Sequence, residues 1–282
     1  MAAATVTVWA ILLLGGVAAF GLLIGSFLNV VAYRVPAGMS VVSPGSSCPG
    51  CGAAIRPWDN IPLVSWVLLR GRCRDCAEPI SWRYPLVEAV TGGLFAVAAL
   101  RFLPGVVEAP DARHAVAGAF QLAAFLYLAA IAVVLSAIDL DTHRLPNVIV
   151  LPSALVGAVL LGASSLVSGD LAPLGSAGIG MTSLFVFYLI VALISPRGMG
   201  FGDVKLAGVL GLYLGFLGVG PLVVGAFGAF VLGGLFGVVL MLVRGGRRSG
   251  IAFGPWMFAG AWVGILAGPA VWQSYLALVA PA

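Results

Sequence analysis

Two short stretches of this chain hold acids where acids are unusual. In SPRGMGFGDVKL, residues 195–206, Asp203 follows Gly198, Gly200 and Gly202 and opens an apolar helix. In SAIDLDTHRLPN, residues 136–147, Asp139 and Asp141 stand at the end of one, and Pro146 stops that helix or starts the next. A carboxylate at a helix N-terminus meets unsatisfied backbone N–H groups, so one reading of Asp203 is a helix cap. An acid at a membrane boundary is costly and points to function instead. Two carboxylates brought within hydrogen-bond distance cannot easily both ionise. They share a proton, which leaves one acid and one base. Such a pair can deprotonate a water for attack on a peptide carbonyl and then protonate the leaving amine, without metal or covalent nucleophile. Residues two apart on a helix point about 200° apart, so only one of Asp139 and Asp141 can face a bundle interior. Helix phase alone leaves open which one it is.

The four cysteines form the second constellation: Cys48-Pro-Gly-Cys51, then twenty-one residues, then Cys73-Arg-Asp-Cys76. Two CxxC knuckles at this separation match a four-thiolate zinc site, each knuckle turning two sulfurs toward one tetrahedral ion. Two disulfides are the competing reading, and they require an oxidising compartment. Four protein ligands leave no open position, so the metal is expected to be structural, tying down a loop with too little core to fold alone.

The elements that must position these groups are membrane helices. The chain has 282 residues, is 61% hydrophobic and 9% charged, and its mean hydropathy is +1.13, far outside the soluble range. Apolar runs near the length of about 20 residues that crosses hydrocarbon fall at 8–31, 85–103, 115–138, 148–167, 174–194, 204–218, 221–243 and 252–279. The predicted architecture is therefore an all-α polytopic membrane protein of about eight helices, the sixth one short. Its parts are a first helix over 1–33, a four-cysteine loop over 34–84 and a seven-helix core over 85–282 that carries the acids. The first basic residue is Arg34, so no positive region precedes the first run, which reads as a retained helix and not a signal peptide.

Orientation follows from the basic residues. With the 34–84 loop in the cytosol, one side holds Arg34, Arg56, Arg70, Arg72, Arg74, Arg83, Arg144, Arg197, Lys205, Arg244, Arg247 and Arg248, and only Arg101 and Arg113 lie opposite. This positive-inside bias puts both termini outside and the cysteines in a reducing compartment. It also accounts for the net charge of +4 without any nucleic-acid partner.

Other residues carry weaker signals. Asn29 lies inside an apolar run, either bonding a neighbouring helix or contacting substrate backbone. Glu88 lies a turn inside the second span, as a cap, an arginine partner or a functional acid. Trp58, Trp66 and Trp82 with the neighbouring arginines suit an interfacial belt, and His143 reads as interfacial. Gly225, Ala229 and Gly233 have the spacing of helix-packing contacts. The knuckles use up the cysteines, His114 and His143 are too few for a histidine metal centre, and neither GxSxG nor HExxH occurs. The GxG steps of GMGFGD follow a membrane helix and not a strand, which speaks against a dinucleotide site.

Taken in order, GSFLNVVAYRVP (25–36), the paired CxxC loop, RYPLVEAVTG (83–92), IDLDTHRLPN (138–147), GMGFGDVKL (198–206) and IAFGPWMFAGAWVG (251–264) resemble the bacterial type IV prepilin peptidases, aspartic intramembrane enzymes of the GxGD type. The resemblance covers nearly the whole chain. It implies a first catalytic acid seven residues before the proline of the L-P-N turn, which is Asp139, and a second at Asp203, with Asp141 retained as the alternative to Asp139. It further implies cleavage of type IV prepilins and type II secretion pseudopilins after the glycine that ends their basic leader, at the cytoplasmic face of the bacterial inner membrane. N-methylation of the new amine with S-adenosylmethionine is also implied. No cofactor motif is recognisable, so methylation rests on the resemblance alone. Asn29, Arg34 and Glu88 match family positions without an assigned role, and Asp59, Asp75 and Glu78 are candidates for contacting basic leaders. Two alternatives stand beside this reading: a peptidase without methylation, and a transporter whose broken sixth helix lines a midplane site.

Overall fold

The computed structural model describes residues 2–195, 198–243 and 252–279. Arg197, Arg244, Arg247 and Arg248, counted above among the basic residues of one face, lie outside the described residues, as does Ile251 of the last motif. The helices are α1 (Ala2–Arg34), α2 (Val64–Leu68), α3 (Arg83–Phe102), α4 (Pro104–Val107), α5 (Ala112–Thr142), α6 (Asn147–Ser168), α7 (Ala172–Ile194), α8 (Phe201–Leu217), α9 (Val219–Val243) and α10 (Gly254–Val279). Among the described residues seven of them, α1, α3, α5, α6, α7, α9 and α10, are long and apolar enough to cross a membrane. The eighth apolar helix, α8, has 17 residues and is buried without a break from Leu206 to Gly215. Its neighbours shield it, so its length does not have to match the hydrocarbon thickness.

Because the long helices alternate in direction, the loop after α1, the α5–α6 turn and the starts of α8 and α10 share one end of the bundle. Three contacts across sequence hold that end together: Arg83 to Asp141, Lys205 to Asn147, and Gly254 to Asp139. Lipid tails are as apolar as leucine, so these helices associate through close packing and not through a hydrophobic gradient. On α9, Gly225, Ala229 and Gly233 are buried against α10, as their spacing predicts, while Phe227, Leu235 and Leu242 of the same helix are exposed as a lipid-facing side. Gly180 of α7 and Gly211 of α8 meet backbone to backbone, and a side chain on either would drive the two helices apart. Phe125 of α5 stacks on Phe102 of α3 with ring centroids 4.1 Å apart and meets Tyr213 of α8 edge-on, which puts α5 and α8 at the centre.

Residues 35–82 join α1 to α3 at the acid-bearing end. The buried residues there are Cys48, Pro62, Ser65 and Gly71, too little core for an independent domain. Each knuckle is closed by a matching pair of backbone bonds. The Cys48 N–H donates to Ala53 and the Gly52 N–H to Cys48; the Cys73 N–H donates to Glu78 and the Ala77 N–H to Cys73. The residue after the second cysteine is left-handed in both, Gly52 at φ 72° and Ala77 at φ 59°. Glycine takes that conformation freely, whereas alanine is strained in it, so the second knuckle holds Ala77 by its surroundings. Trp58 and Trp82 are exposed, as a belt requires. Trp66 is not a belt residue: its Nε1 donates to Ile80 O at 3.1 Å and its ring lies against Gly71, so it packs inside the loop.

Candidate active site

α5 runs one turn past Asp139 and ends at His143, whose backbone is left-handed and whose N–H donates to Asp139 O at 2.9 Å. That phase turns Asp139 into the bundle, where it is 5% exposed. Asp141 faces outward and pairs with Arg83 at 2.6 Å. The choice that helix phase left open is thereby made: Asp139 is the interior acid. Its Oδ2 accepts the N–H of Gly254 at 2.9 Å, at the very start of α10, where the helix dipole favours a negative charge.

Asp203 is the third residue of α8. The N-cap of α8 is Gly200 and not Asp203; Asp203 caps from inside the first turn, its Oδ2 accepting the N–H of Gly200 at 3.0 Å, which occupies one of the two carboxylate oxygens. Asp139 and Asp203 share one end of the bundle, Asp203 in the first turn of α8 and Asp139 against the start of α10. Leu145, in the turn between α5 and α6, fills the space between the two segments. A Cβ on Gly202 would stand 3.1 Å from that of Leu145, and a Cβ on Gly254 would stand 2.8 Å from Asp139 Oδ2. A side chain at 202 would press on Leu145 and one at 254 would displace the Asp139 carboxylate, so glycine serves close approach at both positions and not turn geometry. Lys205 donates to Asn147 Oδ1 at 2.9 Å and lies over the Phe201 ring, fastening the start of α8 to the start of α6.

In the loop, the four cysteine sulfurs lie within 4.8 Å of one another, and those of Cys48 and Cys76 are 3.7 Å apart. A zinc tetrahedron with bonds near 2.3 Å has edges of about 3.8 Å, which the Cys48–Cys76 pair already matches, and the wider sulfur pairs need to close by no more than about 1 Å. The cysteines are free, and that sulfur separation is too long for a disulfide. The N–H groups of Cys51 and Gly50 pull the Cys48 thiol down to about 7. Cys76 goes to about 12: the Glu78 N–H pulls it down, but burial and the three neighbouring sulfurs outweigh that. Four sulfurs so close share their protons unequally, and a dication would favour thiolate in all of them.

Comparisons with known proteins give the family. Residues 19–102 match the bacterial peptidase A24 N-terminal domain, and residues 126–241 match the type IV leader peptidase family. A protein of Neisseria gonorrhoeae called prepilin leader peptidase/N-methyltransferase is 35% identical over 288 residues, covering 91% of each chain. The chain belongs to the type IV leader peptidase family. Proteins of the same name from Aeromonas salmonicida, 33% identical over 92% of each chain, and from Dickeya chrysanthemi, 36% identical over 87% of this chain and 89% of that one, agree. No solved structure matches the chain.

Within this leader peptidase, the remaining sequence candidates divide by what they touch. Asn29 Nδ2 donates to Tyr84 O of α3 at 3.2 Å, so it bonds a neighbouring helix. Arg34 holds the Ser40 carbonyl at 2.9 Å. Glu88 is buried, and its Oε2 accepts the N–H of Leu63 at 2.8 Å, which ties the cysteine loop to α3. The acids offered as leader contacts are largely engaged: Asp59 is held by Arg74, whose hydrogen bond keeps its carboxyl below the usual range, and Asp75 pairs with Arg56 at 3.2 Å. Sequence reasoning missed Gly254, Leu145 and Arg83. A backbone N–H donor has no residue-type signature, and Leu145 looks like any other apolar wall. Arg83 appeared only as one basic residue among many.

Proposed function

We propose that this protein cleaves the leaders of type IV prepilins and pseudopilins after their final glycine and then N-methylates the exposed amine with S-adenosylmethionine. The observation that carries the reading is Asp139 and Asp203, 64 positions apart, sharing one end of the bundle on either side of Leu145, in a chain similar throughout to proteins named for both activities. With one carboxyl protonated and the other ionised, the base takes a proton from water as the water attacks the scissile carbonyl. The acid then protonates the leaving amine. The fixed contacts to Gly254 and Gly200 leave each carboxylate a second oxygen for this work. The distribution of basic residues supports an acid-bearing end in the cytosol, where a basic leader would arrive while the pilin helix lies in the bilayer. We assign zinc to the four cysteines on the fit of their sulfurs, in a structural role.

The decisive experiment incubates the purified protein in lipid with a prepilin and labelled S-adenosylmethionine, reading cleavage and label transfer separately. Cleavage with transfer supports the full reading. Cleavage alone reduces it to a peptidase, and neither overturns it.

A further inference from the structure

Arg83 opens α3 directly after the cysteine loop, and the second knuckle sets its place. The Ile80 N–H donates to Gly71 O at 2.7 Å, and the Cys73 N–H to Glu78 O at 2.8 Å, so the few residues between Cys76 and Arg83 have little slack. From there the guanidinium crosses to α5. Its Nη2 lies 2.6 Å from Asp141 Oδ2 and donates to Ala137 O at 3.1 Å. Ala137 and Asp141 are one helical turn apart, and Asp139 stands between them. Five residues further along α3, the buried carboxylate of Glu88 accepts the Leu63 N–H from the other side of the loop. The start of α3 thus grips the loop at one point and the last turn of α5 at another.

The side chains of Arg83 and Asp141 are 41% and 43% exposed, and an ion pair that open contributes little to stability. The double contact instead fixes the rotation of the helical turn that aims Asp139, and a cation at a helix C-terminus suits the dipole there. We propose that Arg83 is a positioning residue for the peptidase reaction, fixing the last turn of α5 to the four-cysteine loop and so setting the direction of the Asp139 carboxylate. The proposal rests on Asp139 being one of the catalytic pair.

The test compares wild type, Arg83→Gln, Asp141→Asn, the double variant and Arg83→Lys, each full-length in lipid, for kcat, KM, metal content and melting temperature. Both single variants are expected to lower kcat about tenfold, with KM, metal content and melting temperature unchanged. The double variant falls no further than either single one, because both remove the same contact. Arg83→Lys keeps the charge but not the fork, and regains part of kcat. Unchanged kcat in Arg83→Gln, additive losses, or a kcat loss that tracks metal content or melting temperature would overturn the proposal. Should Arg83→Gln fail to accumulate, Asp141→Asn and Arg83→Lys answer the same question. Full activity in Asp139→Asn would instead remove the catalytic reading, which keeps the two failures apart.

Discussion

The carboxylate of Asp139 accepts the backbone N–H of Gly254 at 2.9 Å, across 115 positions of the chain and inside the bundle. One oxygen of this acid is thereby pinned to the start of α10 while the carboxylate remains an acceptor for a second partner. The arrangement depends on residue 254 having no side chain, because a Cβ there would stand 2.8 Å from Asp139 Oδ2. Gly254→Ala is therefore expected to fold and insert, since the added methyl meets the end of a side chain and not backbone. It should lower kcat for prepilin cleavage by tenfold or more. Side-by-side kinetics and membrane yield of the two proteins check this; wild-type kcat would mean that the contact does not orient the acid.

Replacing either acid by asparagine keeps its contact, because the amide oxygen still accepts from Gly254 or from Gly200. What is lost is the exchangeable proton. Asp139→Asn and Asp203→Asn are each expected to accumulate normally in the membrane and to lose cleavage by about 10² to 10⁴-fold, the range for removing a general acid or base. Asp141→Asn should lose far less. Processing retained in either of the first two variants would dismantle the pair.

A pair that works with one proton fails when it holds two or none. Cleavage is expected to follow a bell-shaped pH profile whose limbs belong to the pair and not to either residue. Rates measured across the pH range in lipid, with metal content monitored at each point, separate this from loss of the cysteine cluster. A profile flat through both limbs would count against shared-proton chemistry.

The parts of this molecule that were legible in the sequence are those in which residue type carries the signal. The CxxC knuckles announce themselves because sulfur ligands need short, fixed spacing, and α8 reads as a short apolar helix because its composition does not depend on neighbours. The choice between Asp139 and Asp141 was not legible, since it depends on where α5 packs and on Arg83 claiming the outward acid. The contact of Gly254 with Asp139 was hidden for a different reason: any residue presents a backbone N–H, and only the approach of another helix makes glycine necessary. Asp59 and Asp75 looked available as leader contacts until the fold brought Arg74 and Arg56 to them.

The cysteine cluster should hold about one zinc ion per chain, four thiolates around one dication. Cys48→Ser or Cys76→Ser is expected to lower the metal content of the purified protein and to make residues 35–82 sensitive to protease, because Cys48, Pro62, Ser65 and Gly71 are all the buried residues the loop has. Elemental analysis with limited proteolysis reads both. Metal-free protein with a protease-resistant loop would show that the loop folds without the ion.

Glu88 is the point at which the loop is tied to the membrane helices, and its replacement separates charge from hydrogen bonding. The Leu63 N–H that it accepts belongs to a residue held at φ 60°, a conformation that a leucine adopts only when its surroundings impose it. Glu88→Leu removes the acceptor and leaves that N–H without its partner, a loss of about 1–3 kcal/mol. Leu63 is then free to relax, and the loop should detach from α3 before the bundle unfolds. Glu88→Gln keeps an oxygen in place and should lose less. Hydrogen exchange at the Leu63 amide reads the contact directly: fast exchange is expected in Glu88→Leu and slow exchange in Glu88→Gln. Equal protection in both would mean that the strained turn is held by Pro62 and Ser65 rather than by the carboxylate.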